Sequence, residues 1–350
     1  MSKHLYPRLL QAMNPFHHLN DRRSFLKGVS LGTGGLLLAP LLQKIAAAAD
    51  GNVTPPIAPP IAPPIAPPIA PIAPKYVPVK WDEKEAKKLQ SEWAAKLKVE
   101  VETKTSNGIV MVLIPPAGAA LPKPYWLGKY EVTQAEWEGV MGYNLSGFKK
   151  GSNKEAEGMD TSRFPVTSVS WYDSLEFCNK LSEKEGLPPY YELKVIKRKE
   201  EKHPGIVQAE VKLLGGNGYK MPTEFEWEHG GRAGTTTAFY FGDNEEDLVE
   251  YGWIGKNSGM RPHPVGEKKP NAFGLHDVHG NLREWVVETL ARDDFSTLSR
   301  DRAVSPLRGM NRGGGYEYTA KICRFFESRR HGPWDRLHFA GFRLARETGD

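Results

Sequence analysis

Asn271-Ala272-Phe273-Gly274-Leu275-His276-Asp277-Val278-His279-Gly280-Asn281, continued by Glu284-Trp285, is the stretch on which the reading of the fold turns. It sits in a region, from Leu121 onward, where glycine and aromatic residues are frequent and long periodic segments are few. Three helices are expected there: Thr133–Met141, Trp171–Glu185 behind Ser170, and Thr223–Arg232 behind Pro222. Ser and Thr at those starts suit helix capping. The residues between read as short strands and loops. The chain holds nine Trp and is 10% aromatic, so the expectation is an irregular α+β domain held by aromatic packing.

Working back toward the amino end, residues 81–98 read as a helix, with Leu89, Trp93 and Leu97 at i, i+4 and i+8 on one expected core face. Two alternating runs follow, Lys98–Lys104 and Ile109–Ile114, around Ser106-Asn107-Gly108. Asn-Gly between such runs predicts a hairpin. Residues 80–107 therefore form a lead-in to a main domain over 108–350.

Residues 55–74 repeat Pro-Pro-Ile-Ala. Proline fixes φ and removes N–H donors, so neither helix nor sheet is expected. The span 50–79 reads as an extended linker, reaching on the order of 60 Å if it is polyproline II. Before it, Asp21-Arg22-Arg23-Ser24-Phe25-Leu26-Lys27 resembles the twin-arginine export motif, followed by an apolar run Gly28–Leu42 and the small residues Ala46–Ala49. Basic, apolar, small is the order of a signal peptide, here 1–49. The apolar run is shorter than the ~20 residues of a spanning helix. The alternative is an uncleaved segment acting as a membrane tether. Export to the periplasm, or outside the cytoplasm generally, is the expected localisation.

The net charge of +5 belongs to that front end: residues 1–49 carry six Lys and Arg against Asp21 alone. The remainder is neutral, so the excess that displaces counterions from phosphate is missing and no nucleic-acid partner is expected. Two cysteines, Cys178 and Cys323, exclude a disulfide scaffold and a zinc site built on Cys pairs.

Five segments in order resemble the formylglycine-generating enzyme (sulfatase-modifying factor) family. They are Tyr130-Glu131-Val132-Thr133; Pro165-Val166 through Val169-Ser170-Trp171; Met221-Pro222-Thr223-Glu224-Phe225-Glu226-Trp227-Glu228; the opening stretch; and Arg312-Gly313-Gly314-Gly315 with Gly341-Phe342-Arg343. The match covers about residues 108–346, and the early Phe-x-Met-Gly stretch of the family is missing. The resemblance implies a C-type-lectin-related α+β fold with little regular secondary structure.

It also implies a chemistry that this sequence departs from. Family oxidases resemble one another in Gly-Gly-Ser, two residues, Cys, four residues, Cys, where two thiolates can grip Cu(I), a soft ion that prefers sulfur. Here Gly315 stands for the Ser, Tyr318 for the first Cys, and only Cys323 remains. The Trp expected two residues after Gly-Asn is Arg283. Copper-dependent formylglycine synthesis is therefore not expected, and Cys323 is a catalytic candidate only if the enzyme is divergent. Cys323 and Cys178 otherwise read as small buried hydrophobes. The family's bond from the position of Cys178 would end at Leu344, which cannot form it.

Calcium is the cofactor that the resemblance supports, in the turn Asp277, Gly280, Leu282 and Glu284: two carboxylates with backbone carbonyls between them suit a hard ion. The alternative is a turn in which Glu284 pairs with an arginine. His276 and His279 beside it lack a third zinc ligand. The expected function is an exported domain that binds a peptide, glycan or small metabolite in the family cleft. Arg283, Tyr316, Tyr318, Arg324, Phe325, Phe326 and Trp334 would supply stacking and polar grip. The alternatives are a divergent formylglycine-generating oxidoreductase, an accessory enzyme of periplasmic cofactor maturation, or a structural domain held off a membrane by the spacer.

Overall fold

The computed structural model describes residues 77–152, 156–288 and 308–349. All belong to the unit Ala70–Asp350. The expected signal segment and all of the proline repeat lie outside the described residues. No described helix is long and apolar enough to cross a membrane.

In chain order the elements begin with α1 (Glu83–Leu97), β1 (Glu102–Lys104), β2 (Val110–Ile114), β3 (Tyr125–Gly128), α2 (Gln134–Met141) and α3 (Trp171–Lys184). Next come β4 (Tyr191–Arg198), β5 (Ile206–Leu213), α4 (Glu224–Arg232) and the single turn α5 (Leu248–Tyr251). The carboxyl part adds β6 (Arg283–Glu288), β7 (Arg308–Arg312), β8 (Arg329–Arg330), β9 (Ala340–Phe342) and β10 (Ala345–Glu347). One sheet runs β1-β2-β3-β10, a second β8-β7-β6-β9, and β4-β5 stand as a separate hairpin. This is the irregular α+β architecture expected of the family fold.

The three expected helices start where their caps stand. Thr133, Ser170 and Thr223 each accept from the backbone N–H three residues on, and Glu136, Asp173 and Glu226 each return a bond to the cap. Such reciprocal caps satisfy two otherwise orphaned donors. The expected hairpin also forms, with Thr103 opposite Met111, and Gly108 takes a positive φ of 87° in its loop.

Helix α1 is turned slightly from the expected face, with Trp93 and Leu97 still packed against the core. Ala86, Gln90 and Ala94 are buried, whereas Leu89, Trp93 and Leu97 are only half-buried at the border. Small residues let the helix axis approach β2 closely, and Gln90 Nε2 donates to Leu113 O at 2.9 Å and Phe273 O at 3.2 Å. The long hairpin β4–β5 exceeds the short strands expected there. Tyr191, Leu193 and Val195 alternate with Glu192 and Lys194, and Ala209, Val211 and Leu213 with Glu210 and Lys212, so the strand period is present in the sequence and the backbone ladder realises it.

Tryptophans build the centre. Trp137, Trp171, Trp227 and Trp285 are each at most 1% exposed. Trp171 Nε1 donates to Val286 O at 3.1 Å, and Trp285 Nε1 to Val169 O at 3.0 Å. These bonds tie the start of α3 to β6, and β6 is the strand that carries the candidate site.

Candidate functional site

Arg283 and Glu284 are consecutive on β6, so the pleat sends their side chains to opposite faces. Two different buried environments result.

On the first face, Glu284 Oε1 accepts from Arg343 Nη2 at 2.5 Å. Its Oε2 accepts from Arg343 Nε at 2.6 Å and from Trp227 Nε1 at 2.7 Å. Arg343 also donates to Gly128 O at 2.9 Å and His276 O at 3.0 Å, joining β3, β6 and the 276–284 turn. Asp277 and Asn281 hold left-handed backbone, φ 59° and 52°, in that turn. Glu131 braces it, accepting from Leu282 N at 2.9 Å and Asn281 Nδ2 at 2.7 Å. Asp277 Oδ2 accepts from Gly266 N at 2.7 Å, while its buried Oδ1 has no partner.

Three buried carboxylates thus face one guanidinium. Burial, then the like charges of Asp277 and Glu284, push the Glu131 carboxyl well above its ordinary range. Burial pushes Asp277 up to about 6 against the pull of Gly266 N–H and Arg343.

The calcium expectation meets mixed geometry. The surplus negative charge and the orphaned Asp277 Oδ1 suit a divalent cation. Glu284 does not stand free for it, since Arg343 and Trp227 occupy both its oxygens. Among the described residues no three His, Cys, Asp or Glu side chains converge as metal ligands.

On the second face, the Arg283 guanidinium lies over the Tyr318 ring, 4.8 Å from its centroid. Tyr318 in turn meets Phe339 edge-on at 5.8 Å. Burial raises the Tyr318 hydroxyl above its ordinary value, so the ring is a phenol and not a phenolate. Cys323 is fully buried, and burial pushes its thiol up to about 12. Gly314 packs so tightly on it that a Cβ there would fall 2.2 Å from Sγ. A protonated, enclosed thiol is a poor nucleophile and a poor metal ligand.

The other cleft candidates divide. Tyr316 is buried, its N–H bonded to Asn281 O at 2.8 Å and its O accepting from Ser258 Oγ at 2.6 Å. Arg324 turns away, pairing with Glu245 and lying 5.7 Å over the Phe326 ring. Phe326 and Trp334 are exposed. Within the set, Arg283 lies over Tyr318 and Arg324 over Phe326, and of these two pairs only the first is removed from solvent.

His276 and His279 are structural. His279 bonds Cys323 O at 2.6 Å through Nδ1, and burial depresses it to about 3. His276 Nδ1 bonds Lys268 O at 2.8 Å. Cys178 and Leu344, the positions of the family disulfide, lie in one apolar cluster instead.

Sequence reading missed Asn311, His331 and the joint role of Glu131 and Arg343. Glu131 and Arg343 stand inside quoted motifs, Tyr130–Thr133 and Gly341–Arg343, but spacing alone does not pair residues 212 positions apart. Asn311 and His331 carry no local signal.

The comparisons agree with this architecture. Residues 94–348 match the sulfatase-modifying factor enzyme 1-like domain. A protein of Paenibacillus barcinonensis described as chaperone protein LppX is 36% identical over 190 residues, covering 47% of this chain and 62% of that protein. The formylglycine-generating enzyme of Mycobacterium tuberculosis is 39% identical over 80 residues, 20% of this chain and 27% of that enzyme. The chain therefore spans less than two thirds of the length of these curated relatives. Among solved structures, Treponema denticola variable protein 1 superposes with a TM-score of 0.59 at 30% identity, covering 71% of this chain and all of that one. The chain belongs to the sulfatase-modifying factor family, the family of the formylglycine-generating enzymes.

Proposed function

We propose that this chain is an exported family member that binds a ligand beside the Arg312–Gly315 turn and does not perform copper-dependent oxidation. One observation carries the reading. Where the oxidase signature needs two reactive thiolates, this chain has a neutral phenol under Arg283 and a thiol enclosed by Gly314. Phenol is a hard, weakly acidic group and does not replace a thiolate on Cu(I). The relative described as a chaperone supports a polypeptide among the peptide, glycan and small-metabolite ligands. The Arg22-Arg23 segment supports twin-arginine export, and the excess charge around Asp277 supports a calcium ion that steadies the turn.

Anaerobic Cu(I) titration tests this, together with incubation of a cysteine-containing sulfatase peptide in air. No tight stoichiometric copper site and no formylglycine are expected. Tyr318→Cys alone does not restore turnover, because Gly315 and Arg283 also differ from the oxidase pattern. One-to-one tight Cu(I) binding with oxygen-dependent loss of the peptide thiol overturns the proposal in favour of a divergent oxidoreductase.

A further inference from the structure

Arg283 is fully buried, and none of its three guanidinium nitrogens makes a hydrogen bond of ordinary geometry, the Tyr318 hydroxyl being the polar group that bears on it most directly. The Tyr318 ring covers one flat side, and among the described residues no carboxylate takes the in-plane N–H fork. Removing a charge from water without pairing it is strongly unfavourable. Structural arginines in this same protein show the contrast: Arg343 and Arg336 each hold a carboxylate through two nitrogens.

The surroundings of Arg283 share its deficit. Trp285, two residues along β6, lies on the same face, and Asn311 of β7 stands directly opposite Trp285. Asn311 is fully buried with neither Oδ1 nor Nδ2 bonded. Arg329 of β8 is paired to Asn311 and exposed. His331 meets Trp285 edge-on at 6.2 Å, and its buried Nε2 is also unpartnered. Arg329 acts electrostatically on both Arg283 and His331, and Asp335 is the carboxylate that bears on His331. Tyr318 and His331 are half-buried and Arg329 is exposed, so this cluster reaches the surface on their side.

We propose that this face of β6, β7 and β8 receives a carboxylate of the ligand. Arg283 pairs with it in the plane of its fork, Asn311 Nδ2 and His331 offer further donors, and Tyr318 and Phe339 form the apolar wall. A flat guanidinium stacked on a ring favours a planar, two-oxygen acceptor. The proposal rests on the binding reading above and specifies its ligand chemistry. The carboxylate comes either from a free small acid or from a polypeptide end.

Benzoate and its neutral isostere benzamide test this by calorimetric titration of the full mature chain. Saturable benzoate binding at least tenfold tighter than benzamide is expected. Arg283→Met reduces benzoate to the benzamide level, and Arg283→Lys, which keeps charge but loses the fork, lies between. Arg283→Met also melts no lower than wild type, because Met keeps an apolar contact with the Tyr318 ring while the unpaired buried charge is removed. The wild-type pair of titrations decides even if a variant does not fold. A phenylalanine-ending tripeptide with free or amidated carboxyl separates the sources: a free-acid preference larger than that of benzoate assigns a chain end, a smaller one a free acid. Equal binding of benzoate and benzamide, benzoate binding unchanged in Arg283→Met, tighter binding of inorganic sulfate than of benzoate, or no saturable binding overturns the proposal. Such a failure without copper-dependent turnover sinks this assignment alone, whereas turnover sinks the binding reading itself.

Discussion

Arg343 holds Glu284 through two nitrogens at 2.6 and 2.5 Å, with both side chains at most 1% exposed. The pair fastens the closing strand region to β6 beneath the glycine turn. Breaking one side of such a pair leaves an uncompensated buried charge, at a cost of about 3–5 kcal/mol. Arg343→Met is expected to lower the melting temperature by on the order of 10 °C. Adding Glu284→Gln should recover part of that loss, because the stranded charge disappears while Trp227 keeps an acceptor. An Arg343→Met protein that melts like wild type would refute the structural role.

The same cluster sets a pH dependence. Asp277 is raised to about 6 from an ordinary value of 3.8, and Glu131 is raised as well. A raised carboxyl binds its proton more readily in the folded state. Its stabilisation is fully present below about pH 4 and is lost as pH rises through about 6. In chelated protein, stability should fall across that window by on the order of 3 kcal/mol. Asp277→Asn should flatten the fall in a series of urea melts at different pH. A slope of opposite sign sinks the account.

Calcium, if it occupies the turn, reverses that trend by favouring the ionised carboxylates. Its addition should raise the melting temperature most above pH 6, by about 2.7 kcal/mol of stabilisation at a hundredfold excess over its dissociation constant. Asp277→Ala should abolish the increment. Identical melting with calcium and with chelator removes calcium from the description.

Gly314 tests the packing over Cys323. Its φ is +80°, and an added Cβ would lie 2.2 Å from Sγ and 2.8 Å from the Cys323 Cα. Gly314→Ala should destabilise by more than about 2 kcal/mol, from strain and overpacking together. Combining it with Cys323→Ala should relieve only part, since the Cα clash stays. Wild-type stability in Gly314→Ala would mean that the turn does not enclose the thiol.

Export is checked by mass. The mature protein should begin near Ala49 or Asp50, and Arg22→Lys with Arg23→Lys should block export. An exported protein whose intact mass includes residues 1–45 rules out cleavage.

The sequence by itself determined what is local. Thr133, Ser170 and Thr223 set helix starts, because a cap acts within four residues, and Asn107-Gly108 set a hairpin for the same reason. The family was legible from ordered motifs, and the missing thiolate pair from Gly315, Tyr318 and Cys323 in one short run. Tertiary structure decided everything that depends on distant residues meeting. It put Ala86, Gln90 and Ala94 at the centre of the inward face of α1, with Trp93 and Leu97 packed at its edge, because close approach to β2 favours small side chains. It gave Glu284 to Arg343, brought Glu131 beneath Asn281, and placed Arg283 over Tyr318 with Asn311 and His331 beside it. Charge pairing and burial depend on where the folded chain puts each group, and neither motif nor periodicity records which carboxylate a guanidinium reaches or whether it reaches one at all.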